Sequence, residues 1–273
     1  MTKVSGYTSS NGPNWVDFLT TTYNQSYIET VNLAVGGATV DRHPLITQSF
    51  KHQVRERYLP TYSGKAVLPW SSHDTLFAMF FGINDIGNEY RAEEAFLASH
   101  VFRVYSELID ELYQTGARNF LFMNVPPVDR SPWMTSGTPK LPGWPAFYQA
   151  DIADFNARLV EMVNKFVRTY SDVTVFLFDT NAIFSRVLND PCAYAETCSL
   201  RDTTRCCVDY QGGTPDWYTF EDRCGVPVDQ YFWLNSAHPT FRIHNATAKA
   251  IAAGLSLLGR STDEDRAPLQ IPL

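Results

Sequence analysis

The 273-residue sequence predicts a single α/β domain built on a parallel sheet. Two observations carry that prediction. Short runs rich in β-branched and aromatic residues alternate with longer segments of helical period, as strands covered by helices do. The short runs are also apolar almost from end to end, which suits strands buried on both faces. Strands are expected at Ile28 to Ala34, Thr75 to Phe81, Asn119 to Val125 and Val173 to Phe178. Between the second and third, Leu97, Val101, Val104, Leu108 and Leu112 recur at steps of three and four, and Gly116 supplies a left-handed stop. Ile152, Phe155, Leu159, Val163 and Phe166 repeat the pattern in a second helix, and the Ala-rich segment after Thr240 forms a third that ends at Gly259. Residues 1–259 thus read as one domain, and 260–273, charged and then Pro-containing, as a loose tail.

Hydrophobic residues make up 44% of the chain and charged residues 19%, enough for a packed core and too few charges for disorder. A formal charge of -7 speaks against a nucleic-acid partner, which needs clustered Lys and Arg. The longest apolar stretch, Thr75 to Ile83, is too short to cross a bilayer. All five cysteines fall between Cys192 and Cys224, in a loop-rich stretch that predicts a disulfide-pinned loop. Their spacing lacks the paired C-x2-C of zinc sites, so no metal is expected. Asn24-Gln25-Ser26 and Asn245-Ala246-Thr247 are glycosylation acceptors that fit a secretory route. Met1-Thr2-Lys3-Val4 opens without an apolar signal region. Either the protein stays inside the cell or its true start lies upstream; the expectation is a secreted full-length protein, and a monomer.

Functional groups in open α/β sheets gather at the carboxyl edge of the strands. Three segments stand there. Asn32 to Thr39 follows the first expected strand, and its Gly36-Gly37 pair lets a backbone N–H face a ligand with no Cβ in the way; alone it reads as a tight turn. Phe80-Phe81-Gly82-Ile83-Asn84-Asp85 follows the most apolar strand and ends in a side-chain amide, which alone reads as a turn former. Trp233 to Thr240 places His238 immediately before a helix, where a lone His is ordinarily a surface or satisfied core residue. Together they are more specific, because acyl transfer needs a general base and at least two donors aimed at a developing oxyanion.

Their order and contexts resemble the SGNH, or GDSL-type, hydrolase superfamily, and within it the fungal acetylesterase-like group of carbohydrate esterase family 16. Ser9-Ser10-Asn11-Gly12-Pro13-Asn14-Trp15-Val16-Asp17 is similar to the segment that follows the nucleophile region there. Gly36 to Asp41 looks like the oxyanion Gly block, Gly82 to Asp85 the G-x-N-D block, and Tyr231 to Thr240 the His block. The similarity runs from about Tyr7 to Leu258. It implies a three-layer α/β/α, flavodoxin-like fold and a serine carboxylester hydrolase releasing acetyl or short acyl groups from carbohydrate or small-molecule esters. It also implies oxyanion donors from the Gly37 N–H and the Asn84 amide, His238 as proton shuttle, Asp85 as loop organiser, and no cofactor.

The sequence departs from that pattern twice. The family's Gly-Asp-Ser block, which ends its first strand ahead of the Tyr7 segment, does not occur. Ser5, Ser9 and Ser10 lie near that point, but no apolar strand leads into them and aims one at His238. The nucleophile is thus expected to be absent and the first strand missing. That strand would lie between Ile28–Ala34 and Thr75–Phe81, and each buried backbone group its loss leaves unpaired costs about 1–3 kcal/mol. The chain reads as N-terminally incomplete and inactive as given, so sequencing the transcript's 5′ end should uncover an in-frame strand ending in Gly-Asp-Ser. Asn235 stands where the superfamily commonly has Asp; its carbonyl can accept the imidazole Nδ1–H but brings no charge. A competing reading is a non-catalytic homologue that binds glycan or lipid, with Trp70, Trp133, Trp144 or Trp217 as stacking platforms; the same rings also suit core or loop packing. Neither G-x-G-x-x-G nor G-x-x-x-x-G-K-[ST] occurs, which removes a nucleotide enzyme, and H-E-x-x-H and G-x-S-x-G are absent too.

Overall fold

Alternate residues of Asn119–Met123 enter two different cores: Phe120 and Phe122 pack on one side, Leu121 and Met123 on the other, and all four are fully buried. That is the two-sided burial its unbroken apolar run predicts. The structure, a computed structural model, describes residues 8–41, 48–92, 97–136, 144–258 and 269–270. Along the chain come α1 (Trp15–Thr21), an irregular helix α2 over residues 50–61, β1 (Leu76–Phe80), α3 (Ile83–Ala92) and α4 (Ala98–Gln114). There follow β2 (Asn119–Met123), α5 (Pro132–Thr135), α6 (Trp144–Thr169), β3 (Thr174–Phe178), α7 (Thr180–Asn189), α8 (Phe241–Leu258) and β4 (Leu269–Gln270).

The strands pair parallel in the order β1-β2-β3-β4, with Leu76 opposite Asn119 and Asn119 opposite Thr174. Parallel neighbours need crossovers, and the helices supply them. Val104, Leu108 and Leu112 of α4 join Phe155, Leu159 and Phe166 of α6 over one face. Ile183, Phe184 and Val187 of α7 join Ile243 and Ile251 of α8 over the other, with Trp15 and Leu19 of α1 packed alongside. The result is the three-layer α/β/α arrangement the sequence predicts. Gly116 ends α4 as expected: at φ +101° it lets its own N–H reach Tyr113 O at 2.9 Å.

One expected strand does not form. Ile28–Ala34 is irregular and mostly exposed, with Val31 40% accessible and no ladder partner among the described residues. β-branched composition favours an extended chain, but a strand exists only against a neighbour. β1 has only β2 beside it among the described residues, and Ala78 at its centre is exposed. The resemblance puts a further strand between these two segments, and no ladder joins them among the described residues. Of the expected loose tail, Leu269–Gln270 pair in parallel with Phe176 and Leu177 of β3; Arg260 to Pro268 and Ile271 to Leu273 lie outside the described residues.

The long connection from α7 to α8 is made of short 3-10 turns stapled by Cys192–Cys198 and Cys207–Cys224, which bears out the disulfide-pinned loop; Cys206 stays free. Tyr210, Cys224, Val228, Tyr231 and Leu234 form a small core of their own within it.

Candidate active site

The glycine block is a closed turn. Ala38 N donates to Val35 O at 3.1 Å, and Gly37 between them sits at φ +81°, where a side chain would be strained. Beyond the turn, Thr39 O and Val40 O accept from Phe50 N and Lys51 N, which fastens the block to the start of α2. Val40 N donates to Asp85 Oδ1 at 2.8 Å, and Asp85 is buried, the loop-organising part the resemblance gives it.

Asn84 reaches the same turn from the sheet. The chain leaves β1, reverses at Gly82 with φ +113°, and starts α3 with Ile86 N bonded to Gly82 O at 3.1 Å. A Cβ at Gly82 would lie 2.4 Å from Phe155 Cζ and 2.6 Å from Val125 Cγ2, so only glycine fits this reversal. Asn84, half-buried in the first turn of α3, donates one amide hydrogen to Ala38 O at 3.2 Å. An amide nitrogen carries two hydrogens, and this bond uses one of them. The structure therefore brings Gly37 and Asn84 together.

Asn235 and His238 form a second pair. Asn235 Oδ1 accepts from Ala237 N at 3.0 Å, His238 N at 2.9 Å and His238 Nδ1 at 3.0 Å. The bond from Nδ1 to Asn235 orients the imidazole, and the His238 side chain is exposed. The loop beneath is firm: Leu234 N bonds His238 O, Thr240 N bonds Phe232 O, and Trp233 and Leu234 are buried.

The two pairs are linked through the carboxyl ends of adjacent strands. Val125, just past β2, fills the space next to Gly82, and farther along the same exit Trp133 N donates to Ser236 O at 2.8 Å. Sequence reasoning missed the clamp that fixes this exit. Asn156 of α6 accepts from Val125 N at 2.8 Å and donates to Val125 O at 2.9 Å, and Asn181 of α7 donates to the same oxygen. Only the fold brings α6 and α7 to this point, so no local motif marks these two residues.

Ser10 is near the His block, because Phe241 N donates to Ser10 O, but its hydroxyl donates to Gly12 O at 2.7 Å and is buried in its own turn. Ser9 is exposed and Ser5 lies outside the described residues. Of the tryptophans, Trp70 packs against Phe77 and bonds Tyr62 O, and Trp133 packs against Tyr148. Trp217 rests on Phe241 and stays 44% exposed, while the Trp144 side chain lies outside the description.

The fold is thus a parallel α/β sheet flanked by helices, the class in which functional groups gather at the carboxyl edge of the strands. The model of GDSL-like lipases and acylhydrolases matches residues 2–251, and the chain belongs to that family. It is 27% identical to an acetylesterase of Thermothelomyces thermophilus over 264 residues, 90% of this chain and 76% of that protein. It is 25% identical to a thermolabile hemolysin of Vibrio parahaemolyticus, over 88% of this chain and 54% of the other. A GDSL esterase/lipase of Arabidopsis thaliana is 24% identical over 64% of this chain and 50% of its own length. The chain thus spans about half the length of the latter two.

Proposed function

We propose that this chain carries the base and the oxyanion donors of a serine ester hydrolase acting on acetyl or short acyl esters of carbohydrates or small molecules. The observation that carries the reading is the Asn235–His238 bond, which orients the imidazole that we read as the base taking a hydroxyl proton. The Gly37 N–H and Asn84 amide are read as the donors for the tetrahedral oxyanion. The attacking Ser is the missing component, since no Gly-Asp-Ser triplet occurs and Ser10 is bonded inward.

Hydrolysis of p-nitrophenyl acetate tests this. The 273-residue chain is expected to stay at the uncatalysed rate. In a form that carries the Gly-Asp-Ser block, His238→Ala is expected to lower kcat by about 10²–10⁴-fold and Asn235→Ala by less, because Asn235 orients without charge. Equal losses in two folded variants would show that Asn235 contributes as much as His238 and overturn its lesser, charge-free role. His238-dependent turnover by the chain as given would overturn the missing-nucleophile reading and the non-catalytic one together.

The two disulfides and the Asn24 acceptor support reading the protein as secreted and glycosylated, and we take it to be a monomer. Asn24 is exposed in a loop, whereas Asn245 lies in α8 and accepts from Tyr23 OH at 2.6 Å, so we assign a glycan to Asn24 and none to Asn245. No helix among the described residues is long and apolar enough to cross a membrane.

A further inference from the structure

The glycine turn is anchored from its downstream side. Upstream of it, Ile28–Ala34 has no ladder among the described residues, Val35 is exposed, and a Cβ on Gly36 would meet nothing within 4 Å. Its position therefore comes from Thr39, Val40 and Asp41. The Asp41 carboxylate, 16% exposed, joins two helices to the turn. Its Oδ1 accepts from Lys51 Nζ of α2 at 3.1 Å, its Oδ2 lies 2.9 Å from His100 Nε2 of α4, and its backbone O accepts from Thr39 Oγ1 at 2.6 Å. His100 is itself held from behind. Arg103 Nη2 stands 3.3 Å from His100 Nδ1, and Arg103 Nη1 donates to Glu107 at 2.6 Å, so the ring has a charged neighbour at each nitrogen. Farther along α4, Val104 and Leu108 are buried in the core, which makes this helix a fixed support.

The turn is fastened at two other points. Val40 N donates to Asp85 of α3, and Phe50 N and Lys51 N of α2 donate to Thr39 O and Val40 O. Two points leave a rigid turn free to swing about the line between them, and a third fixes its orientation. We propose that Asp41 and His100 are positioning residues that supply this third point, His100 holding Asp41 and Asp41 setting where the Gly37 N–H is aimed. The role rests on the reading of that N–H as an oxyanion donor. Such a donor acts only when held about 2.7–3.1 Å from the developing charge, and a misplacement of about 1 Å can cost about 10²-fold in rate while the fold survives. Asn84 donates to Ala38 O, so a swing of the turn also disturbs the second donor.

The test is amide hydrogen exchange on the 273-residue chain, read by NMR at Ala38, whose N–H closes the turn on Val35 O, and at Phe122 inside β2. In His100→Ala, exchange at Ala38 is expected to speed up at least about threefold with Phe122 unchanged. His100→Gln, whose amide can still donate to Asp41, should stay within about twofold of the unaltered chain. Arg158→Ala, which breaks an exposed ion pair with Asp154 on α6, should leave Ala38 as it was. His100 is exposed, so its loss opens no core; should His100→Ala nonetheless melt early, Asp41→Asn carries the comparison. Unchanged exchange at Ala38, or equal acceleration at Phe122, overturns the proposal. Acetate, the acid product of the proposed reaction, then probes the donor. Titrated into the unaltered chain it should shift the Gly37 amide resonance saturably, and in His100→Ala bind at least about threefold more weakly. Equal midpoints in the two forms overturn the role. Acetate that leaves Gly37 unmoved in the unaltered chain sinks the donor reading and the positioning role with it, and faster exchange at Ala38 would then record a fastening alone.

Discussion

His244 is a titratable group that neither the glycine turn nor the His238 loop uses. It lies on the first turns of α8, and burial, joined by repulsion from His238, pushes its imidazole down to about 4 from an ordinary 6.5, while Asp17 pulls the other way. Between those two values the unfolded chain takes up a proton that the folded chain refuses. Stability therefore rises with pH across that window, is full above about 6.5, and falls as the pH drops toward about 4. Urea unfolding at pH 5 and pH 7 should show a loss on acidification that shrinks in His244→Gln. An identical loss in that variant would place the acid sensitivity elsewhere. At this same scale the sequence marked His238, Asn84 and Gly37 through the types of neighbour they keep, but it gave no sign of His244, whose shift comes from what the fold packs around it.

Among elements, the exit of β2 depends on side chains that stand in for a strand. Val125 is fully buried, and its N–H and C=O are both satisfied by the Asn156 amide as a neighbouring strand would satisfy them. Asn156→Ala removes the acceptor of a buried N–H and is expected to cost about 1–3 kcal/mol, read as a lowered urea midpoint. Amide exchange at Val125 should speed up with it. Unchanged exchange there would show that the clamp is not what holds this exit. Helices were the legible elements, because the three-to-four spacing in α4 and α6 is complete within each segment. Strands were legible where a partner stands beside them: β2 and β3 formed where apolar runs predicted them, while Ile28–Ala34, similar in composition, has no ladder among the described residues.

On the scale of the molecule, the stretch between α7 and α8 is stabilised by cross-links more than by core. Cys207 and Cys224 close a loop with a sequence separation of 17, and Tyr231 and Leu234 of the same small core lead straight into Asn235 and His238. Constraining a loop of that length is worth about 3 kcal/mol. At roughly 2–4 °C per kcal/mol for a domain of this size, replacing both cysteines by Ser should lower Tm by about 6–12 °C. An unmoved Tm would show that Tyr210, hydrogen-bonded to Val226 O and Glu221 N, holds the loop without the disulfide. The sequence by itself determined the fold class, the main helices and the strands β1, β2 and β3, because hydrophobic period and turn chemistry are local and act on each segment separately; the site blocks were read by resemblance. Only the tertiary structure decided that Ala38 joins the glycine turn to Asn84, that Asn156 and Asn181 clamp Val125, and that Trp217 and Tyr218 pack on Phe241. These are contacts between segments far apart in the chain, and their energies exist only once the sheet has brought the segments together.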